Sequence, residues 1–432
     1  MSTFQIVVLG IFSSLILIGI GVFAAFGGVF SSGGVGAVTI WGTVDQQIVG
    51  GVIDALESED KSFEAVTYVK KDPLTYSADL VNAMASGSGP DLFLVAGDEL
   101  YSFSDKVLTI PYSVIPQGSF LASFVDEGQL FLTREGALAL PFTIDPLVMY
   151  WNRDLLAGAG VASPPQFWND FFTLAPKITS LDARSNVKKS AVALGEWRNI
   201  PTAKAMLSTL FMQAGDYIVG QDNVGNTAII FGTTPEGATT NPAESALRFY
   251  TEFANPTKSG YSWNRSLPLA PDMFVAGDLA VYFGFASEYG EITKRNPNLR
   301  FSVATLPQIE GNSTRIAYGN IVGLAIARSA KNVQGALAIA QKLSSKSAVA
   351  LISGALSLPP VRRDVSLDTN ANAAAGVFAQ SALIARGWLD PSRAGSDEVF
   401  KNMIESVVSG KSTPATAVAE GTQALEQLLP RR

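Results

Sequence analysis

Cysteine and histidine are both absent from this sequence of 432 residues, and each absence excludes a class of chemistry. Without cysteine the chain forms no disulfide and carries no lipid on an N-terminal cysteine. Without histidine it has neither Ser-His-Asp nor Cys-His catalysis and lacks the ordinary zinc ligands. We therefore expect no cofactor and no metal site.

Charged residues are also scarce, at 16% of the chain, and acidic residues outnumber basic ones to give a net charge of −7. A nucleic-acid partner requires a basic face that displaces counterions from phosphates, so nucleic acid is not an expected partner. The length and the hydrophobic content of 47% are sufficient for two domains of ordinary size.

Residues 1–44 contain no charged side chain, and residues 6–30 are apolar apart from Ser13 and Ser14. This segment is long enough to cross a bilayer as one helix. It is either an uncleaved anchor or a signal peptide removed after export. The length and the missing basic n-region favour the anchor, although residues 22–24 could satisfy a cleavage pattern. We predict a single-pass cell-membrane protein with its folded body on the extracytoplasmic side.

After a Gly/Ser-rich linker, strand patterns alternate with helix patterns, which is typical of an α/β domain. A β-branched run at residues 38–42 precedes a helical segment at 46–57. A second strand is predicted at 63–69 and a second helix at 75–85. Residues 87–91, Gly-Ser-Gly-Pro-Asp, break that helix before a buried strand. They are not a phosphate loop, because the lysine and the helix start of that motif are missing.

A longer extended strand is predicted at residues 139–154, which read ALPFTIDPLVMYWNRD. The two prolines exclude a regular helix, and the residues between them are apolar and β-prone. The segment resembles the crossing between lobes in the type 1 extracellular solute-binding proteins of ABC importers, the maltose-binding-like family. The residues that carry this resemblance are Leu140, Pro141, Phe142, Tyr150, Asn152 and Asp154.

Further segments resemble the same family in the same order, at residues 87–91, 273–284, 296–307 and 358–363. The resemblance implies a two-lobed periplasmic-binding-protein-like (type 2) α/β fold with a central cleft, preceded by the N-terminal transmembrane helix. The implied division is residues 1–37 as anchor and linker, 38–142 with 316–360 as lobe 1, and 143–315 with 361–432 as lobe 2.

The function that the resemblance implies is solute binding for an ABC importer, by hinge closure on a small molecule expected to be a carbohydrate. The implied partners are the solute, ABC permease subunits and the membrane through the N-terminal helix. One alternative is a glycoside-processing enzyme that uses carboxylates such as Asp98 and Asp145. Another is a surface adhesion module that reuses the fold, with its cleft filled by its own side chains.

Ligands of open α/β sheets bind beyond the carboxyl ends of strands, so residues there are candidates. Trp41, Thr43 and Asp45 end or follow the first strand. Asp98 and Glu99 lie where the family places an acidic residue and a basic neighbour. Glu99 replaces the basic residue, which disfavours a maltose-like ligand and favours a cation-bearing solute. The alternative for this acidic pair is a helix start on a solvated loop.

The remaining candidates follow from the family's crossing and closing segments. Asp145 lies in the crossing, and Asn320 in a returning strand could donate an amide hydrogen bond. Phe285 and Ser287 occupy a loop where the family offers an aromatic side chain and a small-residue turn. Trp388 and Arg393 fall in a proline-bordered loop that in relatives closes over the pocket. For Trp41 and Phe285, packing in the core is the alternative to stacking on a sugar ring.

Overall fold

The computed structural model of the chain describes residues 35–222, 226–234, 240–366 and 373–429. The apolar segment predicted as an anchor, at residues 6–30, lies outside these residues. Within them, no helix combines the length and the hydropathy that crossing a membrane requires.

The strands follow one another along the whole described chain. They are β1 (Val38–Gly42), β2 (Val66–Lys70), β3 (Leu92–Ala96), β4 (Ile110–Pro111), β5 (Gly136–Ala137), β6 (Leu140–Asn152), β7 (Ser180–Leu181), β8 (Val187–Val192), β9 (Val219–Gln221), β10 (Thr227–Ile229), β11 (Leu279–Phe285), β12 (Phe301–Ala304), β13 (Ala317–Ile326) and β14 (Ala385–Arg386).

Helices fill most of the connections between the strands. They are α1 (Gln46–Glu59), α2 (Tyr76–Ala85), α3 (Leu100–Phe103), α4 (Gln117–Ser123), α5 (Arg153–Gly158), α6 (Asp170–Ile178), α7 (Ala203–Gln213), α8 (Pro242–Glu252), α9 (Ala270–Ala276), α10 (Glu288–Arg295), α11 (Val333–Leu343), α12 (Lys346–Leu356), α13 (Ala373–Leu383), α14 (Arg393–Val408) and α15 (Pro414–Leu428). Short 3-10 turns occupy Lys61–Phe63 and Asp126–Phe131.

Several helices begin where the sequence places a short polar side chain. Asp45 accepts a hydrogen bond from the backbone N–H of Gln47 at the start of α1. Asn241 caps α8 in the same way, directly before a proline at the first helical position. Such caps satisfy N–H groups that the helix itself leaves without partners. The predicted second strand begins later than expected, because Phe63 belongs to a 3-10 turn and β2 starts at Val66.

The main sheet has the strand order β2-β1-β3-β13-β6-β11-β8-β7, with β12 on β6 and β14 on β13. Strands β1, β2 and β3 are parallel, whereas β13 runs antiparallel to both β3 and β6. The predicted α/β class is therefore confirmed. Crossover helices cover such parallel strands on their faces, as the α/β arrangement requires.

The long strand β6 changes partners in its middle. Its first half pairs with β13, and the last residue of that register is Pro146 opposite Gly319. Its second half pairs with β11, and that register ends at Leu147. The two halves of the main sheet form one continuous hydrogen-bonded ladder because β6 pairs with strands of both halves. Pro146, which has no N–H to donate, lies at the point where the partner changes.

Two separate hydrophobic cores flank this point. The first core contains Ile144 from β6 and Ile321 from β13, together with the inner faces of β1, β3 and α11. The second core contains Leu147 from β6 and Tyr318 from β13, together with β11, α7 and α14. Both strands thus pass from one core to the other within about three residues, and the polar groups near that passage are the candidate site.

Candidate functional site

An acidic pair, Asp98 and Glu99, follows β3 at the edge of the first core. Their side chains are 16% and 24% exposed. The hydroxyl of Ser77 donates a hydrogen bond to Glu99 Oε1 at 3.2 Å. Burial raises the pKa of both carboxyl groups, and the nearby guanidinium of Arg393 opposes this rise. Burial thus outweighs the nearby positive charge at both carboxyl groups.

Arg393 brings a cation to this pair from the second core. Its Nε lies 3.5 Å from Asp98 Oδ2, and its Nη1 lies 3.9 Å from Glu99 Oε1. The prediction that Arg393 lies in a loop is wrong, since it is the first residue of α14. Ser392 caps that helix by accepting a hydrogen bond from the N–H of Gly395. The ion pair joins elements of the two cores across the region where β6 and β13 pass between them, which we call the junction.

Trp388 lies in the loop between β14 and α14, as predicted, but its ring is fixed in the second core. It is 5% exposed and stacks on Phe400 at a centroid distance of 6.1 Å. Its indole N–H donates a hydrogen bond to the hydroxyl of Ser208 at 3.3 Å. These contacts make Trp388 a fixed wall of the junction.

Lys204, in α7, contacts the Trp388 side of the junction. Its Nζ lies 2.8 Å from Asp390 Oδ2 and 2.7 Å from Asp397 Oδ1. It also donates to the hydroxyl of Ser396 at 2.7 Å and lies 5.4 Å from the ring centroid of Trp388. The Asp390 side chain has no exposure to solvent, so this ammonium compensates a buried charge.

Asp145 and Asn320 face one another where β6 and β13 cross between the cores. Asp145 Oδ1 accepts a hydrogen bond from the N–H of Ser287 at 3.0 Å, which ties β6 to the loop after β11. Burial raises the pKa of Asp145 to about 6, although the hydrogen bonds from Ser287 act in the opposite direction. The structure thus brings together three of the predicted site residues, Asp145, Ser287 and Asn320.

Phe285, at the end of β11, is half-buried and lies edge to face with Tyr318 at 6.4 Å between centroids. Its N–H donates to Glu288 Oε1 at 2.7 Å, and its carbonyl accepts from the hydroxyl of Tyr150 at 2.7 Å. The backbone of this loop is therefore fixed on both sides. The partial exposure leaves the ring accessible in part, so the predicted stacking role stays open.

The predicted residues at the end of β1 make contacts of their own. Trp41 and Thr43 are half-buried, and the ammonium of Lys71 lies 3.5 Å from the ring centroid of Trp41. Asp45 is exposed, caps α1 and pairs with Lys70 at 2.9 Å. One face of the Trp41 ring is thus covered by a cation, and Asp45 has a structural role that needs no ligand.

A buried carboxyl group that the sequence interpretation did not include, that of Glu127, lies beneath the acidic pair. It belongs to the 3-10 turn Asp126–Phe131 and is 2% exposed. Among the described residues, none offers a hydrogen-bond partner to its Oε2. Burial raises the pKa of Glu127 to about 8, and Arg386 opposes the rise. At neutral pH this carboxyl group is therefore mostly protonated.

Glu127 lines a small cavity of about 10 Å³ together with predicted residues from both crossing segments. The cavity is lined by Gly97, Asp98, Glu127, Leu130, Tyr318, Gly319, Asn320, Ile321, Gly387 and Trp388. Two of its glycines make room for the carboxyl group. A Cβ at Gly319 would overlap Glu127 Oε2, and one at Gly387 would lie 2.8 Å from Oε1.

We expect Gly319→Ala to lower the free energy of unfolding by about 1 to 3 kcal/mol, because the new methyl group would overlap the Glu127 carboxyl group. Urea unfolding of the variant measures this. Gly290→Ala in α10 is the matched control, since its Cβ would meet nothing within 4 Å and alanine favours a helix. Equal stability of wild type and Gly319→Ala would show that the carboxyl group can move aside.

The structure therefore places Asp98, Asn320 and Trp388 around one cavity, with Glu99 and Arg393 beside it. Sequence interpretation missed Glu127 and Lys204. A signal existed for Lys204, which is the one charged residue in the otherwise uncharged α7. Glu127 gave no comparable signal, because an Asp-Glu pair before a glycine is common in surface turns.

Comparison with known proteins identifies the family. The sequence profile described as bacterial extracellular solute-binding protein matches residues 52–379, which is more than half of the chain. The chain belongs to this family of bacterial extracellular solute-binding proteins. Because the family binds solutes and is not catalytic, the solute-binding protein described here is not an enzyme. The predicted family is confirmed, and the glycoside-processing alternative is excluded.

Individual relatives of this solute-binding protein are distant. A binding protein of Brucella abortus is 21% identical over 360 residues, covering 82% of each chain. The crystal structure of a cyclo/maltodextrin-binding protein complexed with maltotetraose is 18% identical. It has a TM-score of 0.74 and covers 92% of this chain and 98% of its own.

A second solved structure is an ABC transporter solute-binding protein of Thermotoga lettingae bound with α-D-tagatose. It is 18% identical, has a TM-score of 0.67 and covers 91% of this chain and 100% of its own. At such identities these likenesses establish the periplasmic-binding-protein-like fold of the solute-binding protein. The ligands named in the two structures are those of the other proteins.

Proposed function

We propose that this protein is the membrane-anchored, extracytoplasmic solute-binding component of an ABC importer, and that it binds a carbohydrate between two lobes. The observation that carries the proposal is the passage of β6 and β13 between two hydrophobic cores, with Asp145 and Asn320 paired at the crossing. Polar groups at the point where two α/β halves meet are typical of a ligand cleft.

The division into lobes is part of this proposal. Lobe 1 is residues 38–142 with 316–360, and lobe 2 is residues 143–315 with 361–432. The two cores support a division into two lobes, since both β6 and β13 contribute side chains to each core. Ile144 packs in the first core and Tyr318 in the second, so each strand passes between the cores a few residues beyond the proposed bounds. The anchor rests on the apolar segment at residues 6–30, which would tether the protein beside its ABC permease subunits.

Opening of the lobes is required before a sugar can enter. Ligand pockets usually occupy about 300 to 1,000 Å³, whereas the cavity beside Asp98 is only about 10 Å³. The ion pair between Arg393 and the acidic pair must separate when the lobes open, because its partners belong to different cores. A ligand would then stabilise the closed arrangement in proportion to its preference for that arrangement.

Isothermal titration calorimetry on the full-length protein in detergent tests the proposal. The panel consists of maltotetraose, D-tagatose, mannitol, spermidine and a tripeptide. We expect binding of a carbohydrate, weakened at least tenfold by Asp145→Ala, which removes a carboxylate from the crossing. Asp272→Ala is the control, because that carboxylate pairs with Arg295 at the surface. Failure of every carbohydrate to bind would contradict the proposal and favour the adhesion alternative.

A further inference from the structure

At the junction between the cores, the carboxylates of Asp98 and Glu99 share one cation, Arg393. Asp98, Glu99 and Glu127 lie around or beside the same cavity. Of the nearby cations, Lys204 is already held by Asp390 and Asp397 at 2.8 and 2.7 Å. Among the residues that the structure describes, Arg393 is the cation that contacts the acidic pair.

Arg393 is a loose partner for these carboxylates. Its two contacts, at 3.5 and 3.9 Å, are longer than the 2.7 to 2.9 Å that is usual for charge-assisted hydrogen bonds. The Arg393 side chain is 57% exposed, whereas the Asp98 side chain is 16% exposed. An exposed guanidinium at a helix end thus lies beside a pair of largely buried carboxylates without forming a close hydrogen bond to either.

Glu127 gives a second, independent indication that a ligand group binds at the junction, because one of its carboxyl oxygens has no hydrogen-bond partner among the described residues. Its Oε2 is buried without a hydrogen-bond partner among the described residues, and its carboxyl group faces the cavity that Asp98 lines. Buried polar atoms without partners are rare in folded proteins and call for an explanation. An incoming donor group would supply the missing hydrogen bond.

A metal ion is not the occupant that this geometry favours. Across the described parts of the chain, no group of three or more acidic side chains converges as a metal site requires. An organic cation needs only two carboxylates, because guanidinium and ammonium groups form hydrogen bonds as well as ion pairs.

We propose that Asp98 and Glu99 form a cation subsite, in which Arg393 stands in for a guanidinium or ammonium group of the transported solute. The ligand class is then an amine-bearing or guanidine-bearing carbohydrate, and the ligand displaces Arg393 when it binds. This inference rests on the proposed function, because it assigns a ligand group to the same cleft. Glu99, the second carboxylate within reach of Arg393, is the determinant of this specificity.

Chemical rescue of the Arg393→Ala variant tests the subsite without any sugar. Ethylguanidinium is titrated into the full-length variant, and binding is followed by calorimetry and by the thermal unfolding midpoint. We expect the variant to bind ethylguanidinium at least tenfold more tightly than wild type, in which Arg393 competes. The midpoint of the variant should also rise with ethylguanidinium concentration. Neutral ethylurea, which has a similar shape, should do neither.

The matched control is the triple variant Asp98→Asn, Glu99→Gln and Arg393→Ala, which keeps the shapes but removes both negative charges. The proposal is overturned if this control binds ethylguanidinium as tightly as Arg393→Ala does, or if ethylurea binds equally well. Circular dichroism verifies that each variant is folded. Since the assay contains no carbohydrate, a negative sugar panel with positive rescue would refute the carbohydrate assignment while leaving the cation subsite intact.

Discussion

Replacing Lys204 with methionine is expected to lower the free energy of unfolding by about 3 to 5 kcal/mol, the usual cost of removing one partner from a buried ion pair. The Asp390 side chain has no solvent exposure and would lose its cation. The hydroxyl of Ser396 and the backbone N–H of Ser392 still donate to Asp390, but neutral hydrogen bonds do not replace the positive charge beside a buried carboxylate. Methionine keeps the length and the apolar stem of lysine, so the loss of stability measures the effect of removing the positive charge.

Urea unfolding followed by circular dichroism measures this effect. Lys401→Met is the matched control on a neighbouring helix, because Lys401 pairs with Glu398 at 3.1 Å and both side chains are exposed. Exposed pairs contribute little, so we expect a change within about 0.5 kcal/mol there.

The double variant Lys204→Met with Asp390→Asn should recover part of the loss, because it removes the uncompensated charge. If Lys204→Met is no more destabilising than the control, the charge of Asp390 is balanced by another group. The same network fixes the wall that Trp388 forms, so ligand affinity should fall together with stability in Lys204→Met and recover in part in the double variant.

The crossing strand could be predicted from the sequence because its determinants are local. The prolines at positions 141 and 146 exclude a helix, and the apolar run between and beyond them favours a strand. The partner change at Pro146 could not be predicted in the same way. It depends on how β11 and β13 approach β6 from distant parts of the chain.

The candidate site was predictable to the extent that it lies at strand ends. Asp98 follows a recognisable buried strand, and Asn320 lies in another. The roles of Glu127 and Lys204 depend on contacts that no local pattern reveals. The space for the Glu127 carboxyl group comes from Gly319 and Gly387, and the partner of Lys204 comes from the loop before α14. Arg393 was predicted as a site residue, but its helical position depends on the cap by Ser392.

Replacing Glu127 with glutamine is expected to change the pH dependence of stability more than any other substitution of a carboxyl group at the junction. The pKa of Glu127 is raised to about 8 by burial, against an ordinary value of 4.5. Between these two values the folded protein holds a proton that the unfolded chain has released. Stability contributed by the protonated carboxyl group is therefore fully present below about pH 4.5 and is lost as pH rises through about 8.

Each unit of pKa difference corresponds to about 1.4 kcal/mol, so the free energy of unfolding of wild type should fall by roughly 4 kcal/mol relative to Glu127→Gln between pH 5 and pH 9. Urea unfolding of both proteins at intervals across this range provides the comparison. Asp98, Tyr318 and Arg386 also act electrostatically on this carboxyl group, and Asp126 precedes it in the chain. All four are present in both proteins, so their electrostatic effects largely cancel in the difference.

Glu64→Gln supplies the control, since Glu64 is exposed at the surface of the first core and its substitution should leave the pH profile parallel to that of wild type. Parallel profiles for wild type and Glu127→Gln would contradict a protonated Glu127. A group that supplies a proton or a cation to Oε2 would then have to exist at the junction, and ethylguanidinium binding to Arg393→Ala should weaken when Glu127 is also replaced. If the pH profiles of wild type and Glu127→Gln diverge, and Arg393→Ala binds ethylguanidinium equally well with and without Glu127→Gln, the cation is assigned to Asp98 and Glu99 alone.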